Sequence, residues 1–377
     1  MWTETMNKRE FLKRFALLGI GSLATAKNAK ASGKSTYNFD IRTMKEAMYY
    51  QAVKNKMMCE LCPHECSLIE GQTGICRTRT AIGGKLITES YGKTVAVHLD
   101  PIEKKPFYHF LPEAKVYSMG TAGCNFHCLN CQNWEISQNA PKDLPAHEYS
   151  PNDLVRGALS YDSKCIAYTY TEPTVFYEYM FDTAVLADQS GLKNLMVSNG
   201  FINPEPLKQL IPYLDAANID LKAFDADTYR KLTGGTLSAV KNTLLTLKDS
   251  DVWLEITHLM VPGYSDNLEM FRKMVQWLVE NEMQDVPLHI SRFFPAYKLQ
   301  DTNRTEISTM EKALDIAKEV GIQYVYTGNV RDTKWDSTYC HKCGELLIKR
   351  NGYTTEIKSL KDGKCGKCGV EIPGMLK

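Results

Sequence analysis

The sequence predicts an α/β protein, a partial (β/α) TIM-like barrel with small cysteine-rich metal-binding modules at both ends. Three observations predict it. From residue 115 to about 329, apolar strand-like runs alternate with helical patterns, an order that calls for parallel strands joined by right-handed crossovers. Eleven of the 12 cysteines fall into three tight clusters, Cys59/Cys62/Cys66/Cys76, Cys124/Cys128/Cys131 and Cys340/Cys343/Cys365/Cys368, while Cys165 stands alone. Most strand runs end in polar residues, and α/β barrels do their chemistry at the C-terminal strand ends.

In chain order, residues 1–40 read as a leader or disordered tail, 41–110 as a first cysteine module, 111–332 as the barrel and 335–377 as a last cysteine module. The barrel strands are expected at 116–121, 165–171, 194–198, 217–223, 253–261, 288–294 and 323–326. Helices are expected at 151–160, 175–190, 205–214, 226–232 and 268–281. In the fourth run Asn218, Asp220 and Lys222 alternate with Ile219, Leu221 and Ala223. Side chains alternate faces along a strand, so one face is polar where a parallel sheet is normally apolar on both. Buried polar groups need partners. A ligand in the barrel mouth would supply them; the alternative is an edge strand with a solvated face.

Composition narrows the class. The 377 residues carry 45 Lys and Arg against 44 Asp and Glu, a net charge of +1. That balance gives no footing for nucleic acid or an acidic membrane as the main partner. Clustered cysteines in a long chain fit metal ligation better than disulfides. The N-terminus is a separate matter. Lys8-Arg9-Glu10-Phe11-Leu12-Lys13-Arg14 precedes a short apolar run and small-residue sites such as Ala29-Lys30-Ala31. This reads either as a twin-arginine-like export leader, with Lys8 in place of the first arginine, or as a disordered or amphipathic extension. The run is far shorter than the ~20 residues a membrane span needs.

The three-cysteine stretch, Gly123-Cys124-Asn125-Phe126-His127-Cys128-Leu129-Asn130-Cys131-Gln132-Asn133-Trp134, has the spacing C-x3-C-x2-C. Thiolates bind iron–sulfur clusters, and a cubane of four irons wants four ligands. Three cysteines on a short loop can hold three irons and leave one open to a small chelating ligand, as catalytic zinc keeps a free position. Gly123 lets the chain turn out of the strand, and Phe126 and Trp134 are placed to exclude water. A four-ligand zinc or ferredoxin site completed by Cys165 or a distant cysteine is the alternative.

This loop, following the first barrel strand, resembles the signature of radical S-adenosylmethionine (SAM) enzymes, whose open iron is chelated by SAM. The segments at 62–79, 100–110, 123–138, 168–179 and 324–329 further resemble the radical SAM component of the AmmeMemoRadiSam system, a group similar to the pyruvate formate-lyase-activating enzymes. The resemblance implies a barrel of the radical SAM type in which Cys124, Cys128 and Cys131 bind a [4Fe-4S] cluster. Glu172, in Thr171-Glu172-Pro173, stands where the activases have Gly-Gly-Glu-Pro meeting the SAM amino group, but Tyr170 and Thr171 replace the glycines. Asn199 and Gly200 would lie along SAM, and Asp220-Leu221-Lys222 matches an Asp-x-Lys motif near SAM and the substrate, which marks Asp220 and Lys222 as catalytic candidates. His289 is either a further pocket residue or a hydrogen-bonded core histidine.

Cys340, Cys343, Cys365 and Cys368 form two C-x2-C-G knuckles, the pattern of a zinc ribbon, with a rubredoxin-like iron site second. The spacing C-x2-C-x3-C-x9-C of Cys59, Cys62, Cys66 and Cys76 is not that of a ferredoxin, which favours zinc over an auxiliary cluster that relays electrons. His64 competes as a ligand there. The function expected is reductive cleavage of SAM to methionine and a 5′-deoxyadenosyl radical that abstracts hydrogen from a peptide or another substrate. Expected partners are a low-potential donor of the flavodoxin or ferredoxin type and, through the resemblance, Memo-like and AMMECR1-like proteins. A glycyl-radical activase is the second reading. An electron-transfer protein without SAM and a zinc-bound scaffold follow. The need for SAM and a strong reductant favours the cytoplasm, against export through the leader.

Overall fold

The computed structural model describes residues 45–330 and 335–376. The leader lies outside the described residues. The central element is an eight-stranded sheet: β1 Ala96–Pro101, β2 Lys115–Gly120, β3 Cys165–Tyr168, β4 Lys193–Ser198, β5 Ala216–Asp220, β6 Trp253–Met260, β7 Leu288–Arg292 and β8 Val325–Gly328, side by side in that order. Strands β2 to β8 are parallel. Strand β1 runs antiparallel to β2, Ala96 opposite Gly120 and Pro101 opposite Lys115. It is part of the sheet, so the sheet starts before the expected boundary at 110. Only Asp100 in β1 is buried, and such a strand leaves no apolar run to read.

Helices return the chain between strands: α1 Pro151–Ser160, α2 Tyr177–Gln189, α3 Pro204–Leu210, α4 Ala226–Thr233, α5 Leu237–Lys248, α6 Leu268–Glu280 and α7 Ile307–Val320. Their ends are written locally. Before α1, the Ser150 hydroxyl accepts from Asp153 N–H while the Asp153 carboxylate accepts from Ser150 N–H, which satisfies two orphan donors at once. Asn267 caps α6 by accepting from Met270 N–H. That helix buries Met270, Phe271, Met274, Val275 and Leu278, the i, i+1, i+4, i+5, i+8 stripe of a helix lying on a sheet.

The segment after β1 closes the N-terminal end of the sheet. Phe107 and Phe110 are fully buried against Ile102 of the same segment and against Val116, Cys165, Ala167, Leu195 and Ala216, residues at or near the starts of β2 to β5. Each such ring contributes about 2–3 kcal/mol by burial. Glu255 on β6 accepts from the N–H groups of Tyr108 and His109 at 3.0 and 2.8 Å. Asn218 donates to Pro106 O at 2.8 Å and accepts from the Thr257 hydroxyl at 2.8 Å. The polar side of β5 is therefore partnered at Asn218 by the chain itself, not by a ligand, and β5 is an interior strand.

Before the sheet come two three-stranded antiparallel sheets. One joins Tyr50–Val53, Lys56–Cys59 and Ser67–Ile69; the other joins Lys45–Glu46, Lys85–Thr88 and Arg79–Ile82. The 82–85 hairpin turns on Gly83 and Gly84, both at positive φ (60° and 75°), the conformation that a two-residue hairpin loop demands. After the sheet, Thr338–Tyr339, Leu346–Asn351 and Thr354–Ile357 form a last antiparallel sheet. Its Leu347 and Ile348 pack with Tyr108, Tyr324 and Tyr326 beneath the barrel. Leu111 N–H donates to Met375 O at 2.6 Å. Among the described residues no helix is long and apolar enough to cross a membrane.

Candidate functional site

Strand β2 ends at Gly120, and the cysteine loop leaves its C-terminal end. Gly123 sits at φ +93°, and a Cβ there would lie 2.3 Å from Thr78 Cγ2 and 2.6 Å from Cys76 O. Glycine is thus required twice, by conformation and by contact. The loop is pinned to α4 by His127 N–H on Thr233 O (2.8 Å) and Leu129 N–H on Leu232 O (3.0 Å). Phe126 is buried among Phe201 and Tyr229. Trp134 does not shield the loop with it, being 38% exposed and stacked on Tyr297.

Donors already point at sulfur. Phe126 N–H is 3.3 Å from Cys124 Sγ, Asn199 Nδ2 is 3.9 Å from the same atom, and the Ser137 hydroxyl lies 3.1 Å from Cys131 Sγ. Burial pushes the Cys128 thiol up to about 12, with the Lys222 ammonium beside it pulling the other way. Burial likewise raises Cys124. Lys222 and Asp220 leave the end of β5 on one face, 2.8 Å apart. Burial opposes the charge on Lys222, but Asp220 and Cys128 outweigh it and hold the ammonium above its ordinary range. The structure therefore gathers Cys124, Cys128, Asn199, Asp220 and Lys222 at one end of the sheet.

The residues fit a polynuclear cluster. Bonds of ~2.3 Å from one ion to sulfur hold two thiolates within ~4.6 Å of each other. Among the described residues only Cys340, Cys343, Cys365 and Cys368 bring all their ligand atoms within 4.8 Å. The loop's three sulfurs do not converge that closely, as a group of several irons with thiolate ligands requires. The C-terminal four, with Sγ pairs at 3.6 and 3.7 Å, could hold one metal ion. Their knuckles match: Gly344 N–H returns to Cys340 O and Gly369 N–H to Cys365 O, both at 2.9 Å.

Glu172 lies at the same end of the sheet, against the end of β4. It is 1% exposed, and its carboxylate accepts from Thr174 N–H, the Thr174 and Ser198 hydroxyls and Asn199 N–H, at 3.0, 2.7, 2.7 and 2.8 Å. Oε1 takes three of these donors and Oε2 takes Asn199 N–H alone, so the group ties the segment after β3 to the end of β4 while Oε2 keeps room for one more donor. Tyr170, where the activases have glycine, keeps glycine's conformation at φ 70°. Its hydroxyl donates to Asp100 at 2.5 Å, and Lys105 Nζ lies 4.0 Å over its ring. Gly200, at φ +70°, packs its Cα on Ile219.

His289 is not brought to this end. It occupies the second position of β7, 97% buried, donates to Glu255 at 2.6 Å and packs edge-on against Tyr108. This is the hydrogen-bonded core histidine. The N-terminal tetrad, by contrast, lies against the loop: Cys59, Cys62, Cys66, Cys76 and His64 line one cavity with Asn125. His64 Nε2 donates to Asn125 O at 2.8 Å, which commits that nitrogen away from any metal. Asn125 itself, buried between two site residues, gave no signal in the sequence beyond its place in the loop.

The family model of the radical SAM superfamily matches residues 119–278, from the end of β2 into α6, a stretch that takes in the cysteine loop. The uncharacterized protein MJ0808 of Methanocaldococcus jannaschii is 44% identical over 336 residues, which is 88% of this chain and 100% of that protein. The chain belongs to one family with it. The pyruvate formate-lyase-activating enzyme of Staphylococcus aureus is 28% identical over 179 residues, 43% of this chain and 68% of the enzyme. Among solved structures, Streptococcus suis SuiB bound to S-adenosylmethionine is similar at 11% identity over 60% of this chain and 53% of that one, with a TM-score of 0.46.

Proposed function

We propose that the chain is a radical SAM enzyme in which Cys124, Cys128 and Cys131 hold three irons of a [4Fe-4S] cluster and leave the fourth to SAM. The observation that supports this most is the gathering of three buried or half-buried thiols, Lys222, Asp220 and the Asn199 amide at the C-terminal ends of parallel strands. Such a group supplies one electron to SAM, giving methionine and a 5′-deoxyadenosyl radical that takes hydrogen from a substrate. The chain's residues bind and shield. Lys222 offsets thiolate charge, Asp220 holds Lys222, Asn199 donates toward Cys124, and Phe126 keeps water off the loop. Glu172 positions Asn199 through its backbone N–H.

The finer points of this reading rest on the sequence resemblance. They are a peptide or unidentified substrate, a low-potential flavodoxin- or ferredoxin-type donor, partners of the Memo and AMMECR1 kinds, and a cytoplasmic location. Zinc in the C-terminal four is supported by their spacing. Activation of a partner by a glycyl radical is favoured by the activase relative, and opposed by Tyr170 and Thr171, which stand where the activases have glycines. Protein purified without oxygen, loaded with iron and sulfide, reduced and given SAM should release 5′-deoxyadenosine. The Cys124→Ala/Cys128→Ala/Cys131→Ala variant should lose at least a hundredfold of that yield. Equal yields would sink the proposal.

A further inference from the structure

We infer that Cys59, Cys62, Cys66 and Cys76 hold a second iron–sulfur cluster, seated directly against the three-cysteine loop, and not a zinc ion. The C-terminal tetrad supplies the internal standard, since its four sulfurs lie within 4.8 Å of one another and those of the N-terminal tetrad do not. Yet the N-terminal four line a single cavity. Thiols that surround one space but stand too far apart for one ion with ~2.3 Å bonds call for several metal atoms bridged by sulfide. The rest of the wall is mostly apolar, with Leu61, Leu68, Ile75 and Val175.

The buried cation beside the cavity points the same way. Arg79 is 1% exposed, pairs with Glu178 and lies 3.7 Å by Nη1 from Cys59 Sγ. Its Nε is buried with no hydrogen-bond partner among the described residues. A sulfide or thiolate of a cluster is an acceptor for such a donor, and a fixed positive charge offsets the cluster's net negative charge. The Thr78 hydroxyl is 3.2 Å from Cys76 Sγ.

Contact with the first site is direct. Cys76 O lies against Gly123 Cα, leaving no room for a Cβ, and Gly123 precedes Cys124. His64, between Cys62 and Cys66, donates to Asn125 O, and the Asn125 side chain accepts from Asn199. Two centres joined through one van der Waals contact and one hydrogen bond can exchange single electrons. One gains the electron that the other loses, and no bond or proton moves. That role rests on the radical SAM reading; the cluster itself does not.

The test is metal and sulfide analysis with EPR on anaerobically reconstituted full-length protein. The Cys124→Ala/Cys128→Ala/Cys131→Ala variant should keep about two to four irons and as many sulfides per chain. Its reduced EPR signal should not respond to SAM. Wild type should carry about four irons more, and on full reduction its two signals should broaden each other. Cys59→Ser/Cys62→Ser should lose the SAM-insensitive signal and retain the other. If the variant lacking the loop cysteines holds no iron while zinc rises to two per chain, the inference is overturned, whether or not the tetrad variant folds. Wild type with both sets of iron but no 5′-deoxyadenosine would instead defeat the radical SAM reading and leave the second cluster standing.

Discussion

At the scale of single residues, Glu172 and His109 show what burial does to a polar group. Glu172 accepts three hydrogen bonds at Oε1 and one at Oε2, so Glu172→Gln turns one accepting oxygen into a donor facing donors. We expect a loss of about 2–3 kcal/mol, read by urea denaturation at pH 7. Glu172→Ala should leave four donors unmatched and cost more. His109 is buried with Nδ1–H on Pro373 O at 2.7 Å, and Nε2 accepts from the Tyr326 hydroxyl at 2.6 Å. Burial pulls its pKa down to about 4 from 6.5, despite the nearby Glu255 carboxylate. A base depressed in the folded state binds its proton later than the unfolded chain does. Stability from this group is therefore present above pH 6.5 and falls as the pH drops toward 4, by about 3 kcal/mol across the window. Denaturation midpoints of wild type and His109→Gln, compared from pH 7 to pH 5, should converge as the pH falls. Parallel profiles would refute the assignment.

At the scale of elements, the strands and the cysteine loop were legible because their signals are local. Alternating apolar runs mark β2 to β8, and three cysteines close in sequence announce their own chemistry. What escaped was set by distant partners. Asn218 looked like an open site group because Pro106 meets it from more than 100 residues away. The turn at Gly123 carries a prediction of its own. Gly123→Ala should cost about 2–4 kcal/mol, from strain at positive φ and overpacking against Thr78. It should also lower the iron bound at the loop, while Gly71→Ala, with open space around it, should retain full iron. Thermal unfolding with iron analysis of both variants separates the contact from the conformation.

At the scale of the whole molecule, Arg350 joins the last sheet to the segment below the barrel. It is fully buried, donates to Tyr108 O and the Thr338 hydroxyl at 2.7 Å each, and stands 4.0 Å from Glu103. Arg350→Met leaves Glu103 uncompensated in the interior and should cost about 3–5 kcal/mol. The double variant with Glu103→Gln should recover part of that loss in a denaturation cycle, whereas simple additivity would show that the two do not interact. The same region governs the order in which the fold can be finished. His109 and Pro373 are 264 residues apart, and domains fold as the chain emerges, earlier segments first. Once β8 has been made and until the last segment follows, then, the underside of the nascent sheet lacks its last cover, with Tyr108, Tyr324 and Tyr326 bare. A ribosome stalled between the end of β8 and residue 373 should present that aromatic surface to chaperones, and a message truncated there should yield a protein fit for degradation.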